Sequence, residues 1–218
     1  MLPKTKNPLL DIYQRLLAFL GPSHWWPGET PLEIIIGAIL TQNTAWSNVE
    51  RAINRLKAEG ALSASILHHV DEALLGEWIR PAGYFRIKAR RLKNFFDFFM
   101  TEYQGRISHL LDQPLTVLRP QLLRVNGIGP ETADSICLYA LGKPIFVVDA
   151  YTQRIFSRHR LIEEEIGYDA LQSYFMDRLP EDPQIYNEYH ALIVRLGKAF
   201  CRKKNPRCPE CPLKNLNA

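Results

Sequence analysis

The sequence predicts an all-α protein. Apolar residues recur at helical spacing in one segment after another, proline and capping residues mark helix starts, and strand-like alternation is scarce. Leu9, Leu10, Ile12, Tyr13, Leu16, Leu17 and Leu20 form the first apolar stripe, and Gly21-Pro22 ends it. Thr30, Pro31 and Glu33 read as a capping box with proline at the first helical position, opening a helix over 31–42. The next helix covers 47–58, with Val49, Ile53 and Leu56 on its inner face. Further helical patterns span 71–79, 85–103, 115–123, 131–141, 150–158, 168–179 and 184–200. Ile145, Phe146, Val147 and Val148 are apolar but too few to found a sheet.

The 218 residues, 46% hydrophobic and 23% charged, suffice for an ordinary globular core and exclude wholesale disorder. No apolar run approaches the roughly 18 residues of a membrane span, and the start of the chain lacks a secretory pattern. A cytoplasmic, nucleoid-associated protein is expected. A formal charge of +4 is only mildly basic, so the distribution of charge says more than its sum. Basic residues gather at Arg86, Lys88, Arg90, Arg91 and Lys93, and again at Lys198, Arg202, Lys203, Lys204, Arg207 and Lys214. Each patch reads either as a solvated helix face or as a surface for nucleic acid. Cys201, Cys208 and Cys211 crowd together near the end of the chain, which suits metal or cluster ligation in a reducing compartment better than a disulfide framework.

Between two helical patterns lies Val125-Asn126-Gly127-Ile128-Gly129-Pro130. Two glycines around one apolar residue permit a tight turn, and the unpaired amides and dipole at the start of the following helix favour a phosphate. The alternative is an ordinary turn. Asp149 ends the apolar run Phe146-Val147-Val148 and precedes a helical segment, the position of an N-cap.

These segments resemble the helix-hairpin-helix DNA glycosylases of the endonuclease III superfamily. The likeness runs from Pro31 to Cys211 through Leu40-Thr41-Gln42-Asn43-Thr44, the glycine hairpin, Val147-Val148-Asp149 and the cysteine spacing. It implies a six-helix barrel domain over 28–142 and a helical domain joining 1–27 with 143–218. It also implies double-stranded DNA as partner, bound across the cleft between the domains by a monomer. Asp149 takes the catalytic aspartate position, where its carboxylate can stabilise the positive charge that develops on the sugar as a glycosidic bond breaks. Gly127, Ile128, Gly129 and Thr132 would grip the DNA backbone. Gln42 would fill the gap left by a flipped base, or tie two helices together as a buried amide.

Bifunctional members of that superfamily carry a lysine two residues after the second hairpin glycine. Here that residue is Glu131, which cannot form a Schiff base, and the nearest downstream amine is Lys143. A monofunctional glycosylase that leaves an abasic site is therefore expected. The 3-methyladenine glycosylase branch is similar in its tryptophan pair before the barrel, its aromatic residue after the Gln-Asn-Thr segment, and its glutamate at the lysine position. That likeness implies alkylated purines as substrates and a base pocket of Trp25, Trp26, Pro27 and Trp46, whose aromatic faces would attract a flat cation. Core or interface packing is the other reading of the tryptophans. A glycosylase for oxidised or mismatched bases, or a damage-binding module without chemistry, is the alternative function.

Cys201, Cys208 and Cys211 match the first three ligands of the superfamily's [4Fe–4S] motif, and Asn217 occupies the fourth position. A cluster with another fourth ligand, a depleted cluster and a remnant held by packing are all open, and zinc too wants four ligands. A cluster would fix the loop bearing Lys203, Lys204 and Arg207 against DNA phosphates. His190 reads as a packing or DNA-facing residue, and Cys137 as a small buried apolar one.

Overall fold

The structure is a computed structural model that describes residues 7–23, 25 and 28–216. Trp26, Pro27 and Asn217 lie outside the described residues. In chain order the helices are α1 (Pro8–Leu20), α2 (Pro31–Leu40), α3 (Trp46–Ala58), α4 (Ala64–His69), α5 (Glu72–Trp78), α6 (Phe85–Tyr103), α7 (Ile107–Leu111), α8 (Leu115–Arg124), α9 (Pro130–Ser135), α10 (Ala150–Arg158), α11 (Tyr168–Met176) and α12 (Pro183–Ala199). A π-helical turn, Ile136–Ala140, continues α9, and 3-10 turns occupy Arg80–Ala82 and Cys208–Glu210. No strand occurs among the described residues, and 145–148 run as extended chain. The fold of the described residues is all-helical.

The chain divides into two compact units, one of Met1–Trp25 with Pro144–Ala218, the other Trp26–Lys143. The second unit is built around α2, whose Ile35, Ile36, Ile39 and Leu40 are fully buried against α3, α6 and the π-helical turn. Helix α6 buries Phe95, Phe96 and Phe99 as an aromatic cluster, with Phe95 edge-on to Phe96 and both tilted against Phe99. Thr30 caps α2 by accepting from the Glu33 amide at 3.2 Å. The return half of the expected box is replaced by an ion pair. The Glu33 carboxylate turns to Lys57 Nζ on α3, 3.0 Å away, so the side chain joins two helices instead of closing one.

Several helical elements differ from the sequence expectation. Helix α2 stops at Leu40, because the chain turns through Thr41–Thr44 and Asn43 adopts a left-handed φ of 53°. The helix expected over 131–141 widens into the π turn after Ser135. Helices α4 and α7 were not expected, and at six and five residues neither repeats an apolar position often enough to show a period.

In the first unit, α12 packs against α1 and α10. Phe146, from the extended run before α10, stacks on Phe175 of α11 at 4.3 Å and meets Tyr186 and Tyr189 of α12 edge-on. Gln172 Nε2 donates to the Phe146 carbonyl at 2.6 Å, which satisfies a buried backbone acceptor in a segment that has no ladder partner. No helix among the described residues is long and apolar enough to cross a membrane.

Candidate active site

The hairpin joins α8 to α9 through a tight turn in which the Ile128 amide donates to the Val125 carbonyl at 3.0 Å. Gly127 has φ +95°, whereas Gly129, at φ −91°, could be any residue as far as the backbone is concerned. The turn therefore requires one of its two glycines, not both. Arg91 of α6 crosses directly over Gly127, where an added Cβ would lie 2.3 Å from Arg91 Cγ. Its guanidinium donates to Gln42 Oε1, and Gln42 Nε2 donates in turn to the Gly127 carbonyl at 3.1 Å and to Thr132 Oγ1 at 2.8 Å. In this state Gln42 is a tie between the turn after α2 and the hairpin. Ile128 and Thr132 are buried, while Gly129 and Glu131 are exposed.

A second brace was invisible in the sequence. Asp134 on α9 is fully buried, and Arg119 of α8 grips it with two bonds, Nε to Oδ1 at 2.7 Å and Nη2 to Oδ2 at 3.2 Å. Such a fork joins the two hairpin helices with charge-assisted bonds of fixed geometry.

The basic segment on α6 is not simply a solvated face. Lys88 is buried, and its Nζ donates to the Leu40 and Ala82 carbonyls, each at 2.8 Å. Burial, with Arg91 nearby, lowers its pKa to about 8. Lys93 Nζ caps the end of α4 through the carbonyls of His68 and Val70, and Arg90 pairs with Glu72. Helix ends leave carbonyls without intrahelical partners, and these cations supply donors for them.

Asp149 is the N-cap of α10. Its Oδ1 accepts from the Thr152 amide at 2.8 Å and the Thr152 hydroxyl at 2.9 Å, and the Asp149 amide reaches Thr152 Oγ1 at 3.3 Å, completing a capping box. Its Oδ2 lies 3.6 Å from Nε2 of His190 on α12, and both side chains are nearly buried, at 11% and 7% exposure. Burial alone would raise the carboxyl's pKa. His190 and the Thr152 bonds outweigh it and hold the group below the ordinary aspartate value. The result is an enclosed, ionised carboxylate.

In the loop after α12, Cys201 and Cys211 are buried and Cys208 is exposed. Burial pushes the Cys211 thiol up. A four-thiolate cluster needs a fourth donor that the chain does not place as cysteine, and among the described residues no three His, Cys, Asp or Glu side chains are grouped to hold a metal ion. The donor set does not fit such a cluster. Two arginines of α10 brace the loop instead. Arg154 Nε donates to the Cys201 carbonyl at 2.8 Å, and Arg158 reaches the Arg202 carbonyl at 2.7 Å and that of Lys203 at 3.1 Å. Lys203 and Lys204 point to solvent, whereas Arg207 pairs with Glu210 and lies over the Phe200 ring.

Trp25 and Trp46 are half-buried. Trp46 edges a hollow of about 340 Å³ shared with Glu29, Glu33, Glu50 and Lys57. Tyr84 precedes α6 with a left-handed φ of 47° and is 71% exposed. An aromatic residue in that backbone region is uncommon, and φ > 0 cannot be read from the residue type.

The family model for HhH-GPD superfamily base excision DNA repair proteins matches residues 36–181. The chain belongs to that superfamily. Its function at that level is DNA glycosylase action in base excision repair. A candidate DNA repair glycosylase of Methanocaldococcus jannaschii is 52% identical over 210 residues, covering 95% of this chain and 94% of that one. Endonuclease III of Thermotoga maritima is 26% identical over 185 residues, covering 85% and 81%. Among solved structures, H. pylori 3-methyladenine DNA glycosylase bound to 1,N6-ethenoadenine superposes with a TM-score of 0.77 at 27% identity, covering 87% of this chain and 97% of that one. A trapped covalent complex of endonuclease III with DNA gives 0.84 at 23% identity, covering 99% and 96%, a likeness of fold.

Proposed function

We propose that this HhH-GPD protein is a monofunctional DNA glycosylase that removes alkylated purines such as 3-methyladenine from double-stranded DNA, as a monomer, and leaves an abasic site. The observation that carries the reading is the ionised Asp149 carboxylate, fixed by its own helix cap. As the C1′–N bond of a cationic alkylpurine breaks, the base departs neutral with the bonding electrons and the positive charge passes to the sugar. A negative group already in place stabilises that charge without reorganising. Water then adds at C1′ and its proton is released.

Glu131 supports the absence of lyase chemistry, since an exposed carboxylate cannot form an imine. Lys143 is no substitute, because its Nζ donates to the Leu111 carbonyl at 2.6 Å. The likeness to the H. pylori 3-methyladenine enzyme supports the substrate class. Trp25 and Trp46, each within its own unit, are the described residues assigned to stacking on the cationic base, each such contact stabilising by roughly 0.5 to 2 kcal/mol. Gly127, Ile128, Gly129, Lys203 and Lys204 are assigned to the DNA backbone, and Gln42 to the duplex once its ties to Arg91 and Thr132 open. Arg207 contributes there only by leaving Glu210. No step in this reading passes through a cluster.

The test offers the purified protein duplexes bearing 3-methyladenine, 7-methylguanine, hypoxanthine, oxidised pyrimidines, or G·T and A·8-oxoG pairs, with release scored with and without alkali. Alkylpurine release, alkali-dependent strand breaks and no borohydride-trapped adduct are expected. A trapped adduct, or release confined to oxidised or mismatched bases, would refute the assignment.

A further inference from the structure

The two oxygens of Asp149 have different surroundings. Oδ1 is engaged by the backbone and hydroxyl of Thr152, as an N-cap requires. Oδ2 faces the His190 ring at 3.6 Å, beyond hydrogen-bond length but close enough for charge and dipole to act in a buried setting. A helix cap alone does not need a buried imidazole beside its second oxygen.

The two residues are also locked to a common frame. His190 follows Tyr189, whose ring is packed among Phe146, Phe175 and Tyr13. Phe146 belongs to the extended run that leads into Asp149 and is pinned by Gln172. Seven residues beyond His190, α12 presents Gly197 to Tyr151 of α10, where a Cβ would stand 2.3 Å from Tyr151 Cδ1. The Tyr151 ring is thus seated against the bare backbone of α12, the helices that carry the acid and the imidazole are packed on one another, and neither side chain can drift far from the other.

We infer that His190 is a positioning residue for the Asp149 carboxylate: its Nε2 fixes where Oδ2 sits and keeps that oxygen available to the sugar while Thr152 holds the other. The inference rests on the glycosylase reading proposed above. Correct placement matters because a displacement of about 1 Å in a reacting group can cost on the order of a hundredfold in rate.

The experiment compares the wild type with His190→Leu, His190→Gln and Asp149→Asn, measuring single-turnover base release and DNA affinity separately. His190→Leu is expected to slow release by about ten- to a hundredfold with DNA affinity unchanged. His190→Gln, whose amide nitrogen can occupy the place of Nε2, is expected to recover most of the rate. A structural role alone would lower both measures through unfolding and would not be rescued by the amide. Wild-type rates in both His190 variants, with Asp149→Asn inactive, overturn the inference and leave the glycosylase reading standing. If the wild type releases no base, the glycosylase reading fails, and the pairing is still decided by nuclear magnetic resonance. The His190 ring signals must then move in Asp149→Asn, and unchanged signals refute the contact. The same spectra serve if His190→Leu does not fold.

Discussion

The two basic segments, 86–93 and 198–214, are alike in composition and opposite in fate. On α6 three of the cations turn inward, Lys88 and Lys93 capping carbonyls and Arg91 holding Gln42, while Arg86 and Arg90 stay exposed. In the loop after α12, Lys203 and Lys204 remain in solvent, while arginines from another helix satisfy the loop's carbonyls. What separates them is the supply of orphan acceptors. Helix ends converge around α6 and draw its cations in, whereas the later loop has its acceptors filled from α10. Clustered positive charge therefore marks a nucleic-acid footprint only where nothing inside the protein competes for it.

That contrast can be broken most severely through the buried charges of the hairpin unit. Arg119→Ala would strip both guanidinium bonds from the fully buried Asp134 and is expected to destabilise the protein by about 3 to 5 kcal/mol in urea unfolding. A loss below about 1 kcal/mol would mean the pair is hydrated. Lys88→Met keeps the bulk and removes a donor to the Leu40 and Ala82 carbonyls, the second of which keeps Thr44 Oγ1, and a loss of about 1 to 3 kcal/mol is expected.

The same lysine gives a signed pH test. Its folded pKa of about 8 lies below its ordinary 10.5, so between those values the unfolded chain binds more protons. Its contribution to stability should rise with pH across that window, as the cost of a buried charge is relieved. The stability gap between wild type and Lys88→Met should widen accordingly from pH 8 to 10.5. A constant gap would show that Lys88 is solvated.

At the other extreme, Lys203→Ala with Lys204→Ala should leave stability within about 0.5 kcal/mol. It should reduce the slope of log affinity for DNA against log salt by about 0.9 for each phosphate contact removed. An unchanged slope would remove these lysines from the interface. The smallest expected effect is that of metal. Iron analysis of anaerobically purified protein should fall short of a full [4Fe–4S] complement, and chelation should leave the loop's hydrogen-exchange protection intact, because Arg154 and Arg158 hold its backbone. A full complement, with the loop loosened on chelation, would show that a fourth ligand exists.

Much of this architecture was legible from local pattern. Helices α1, α6 and α10 announce themselves through apolar period, glycine stops and the Asp149 cap, because those signals act within a few residues. The hairpin was legible because a turn is a local object. What could not be read is where side chains go once helices meet. Glu33 looked like half of a capping box and instead joins α3. Lys88 looked like a surface cation and is buried. His190 carried no local mark of its approach to Asp149, since the two are brought together by packing of α10 on α12. Pairings of this kind are set by the assembled core, and a reading along the chain can name the partners without matching them.

Gly127 shows how far one missing side chain can reach. A single methyl group there would both strain a left-handed backbone and evict the Arg91 stem from its berth across the turn. The guanidinium would swing away, and Gln42, ninety residues upstream of Thr132, would lose the anchor on its oxygen. The hairpin glycine thus governs the readiness of a residue in the turn after α2: Gly127→Ala would act at a distance, by unmooring a glutamine that it never touches through its own side chain.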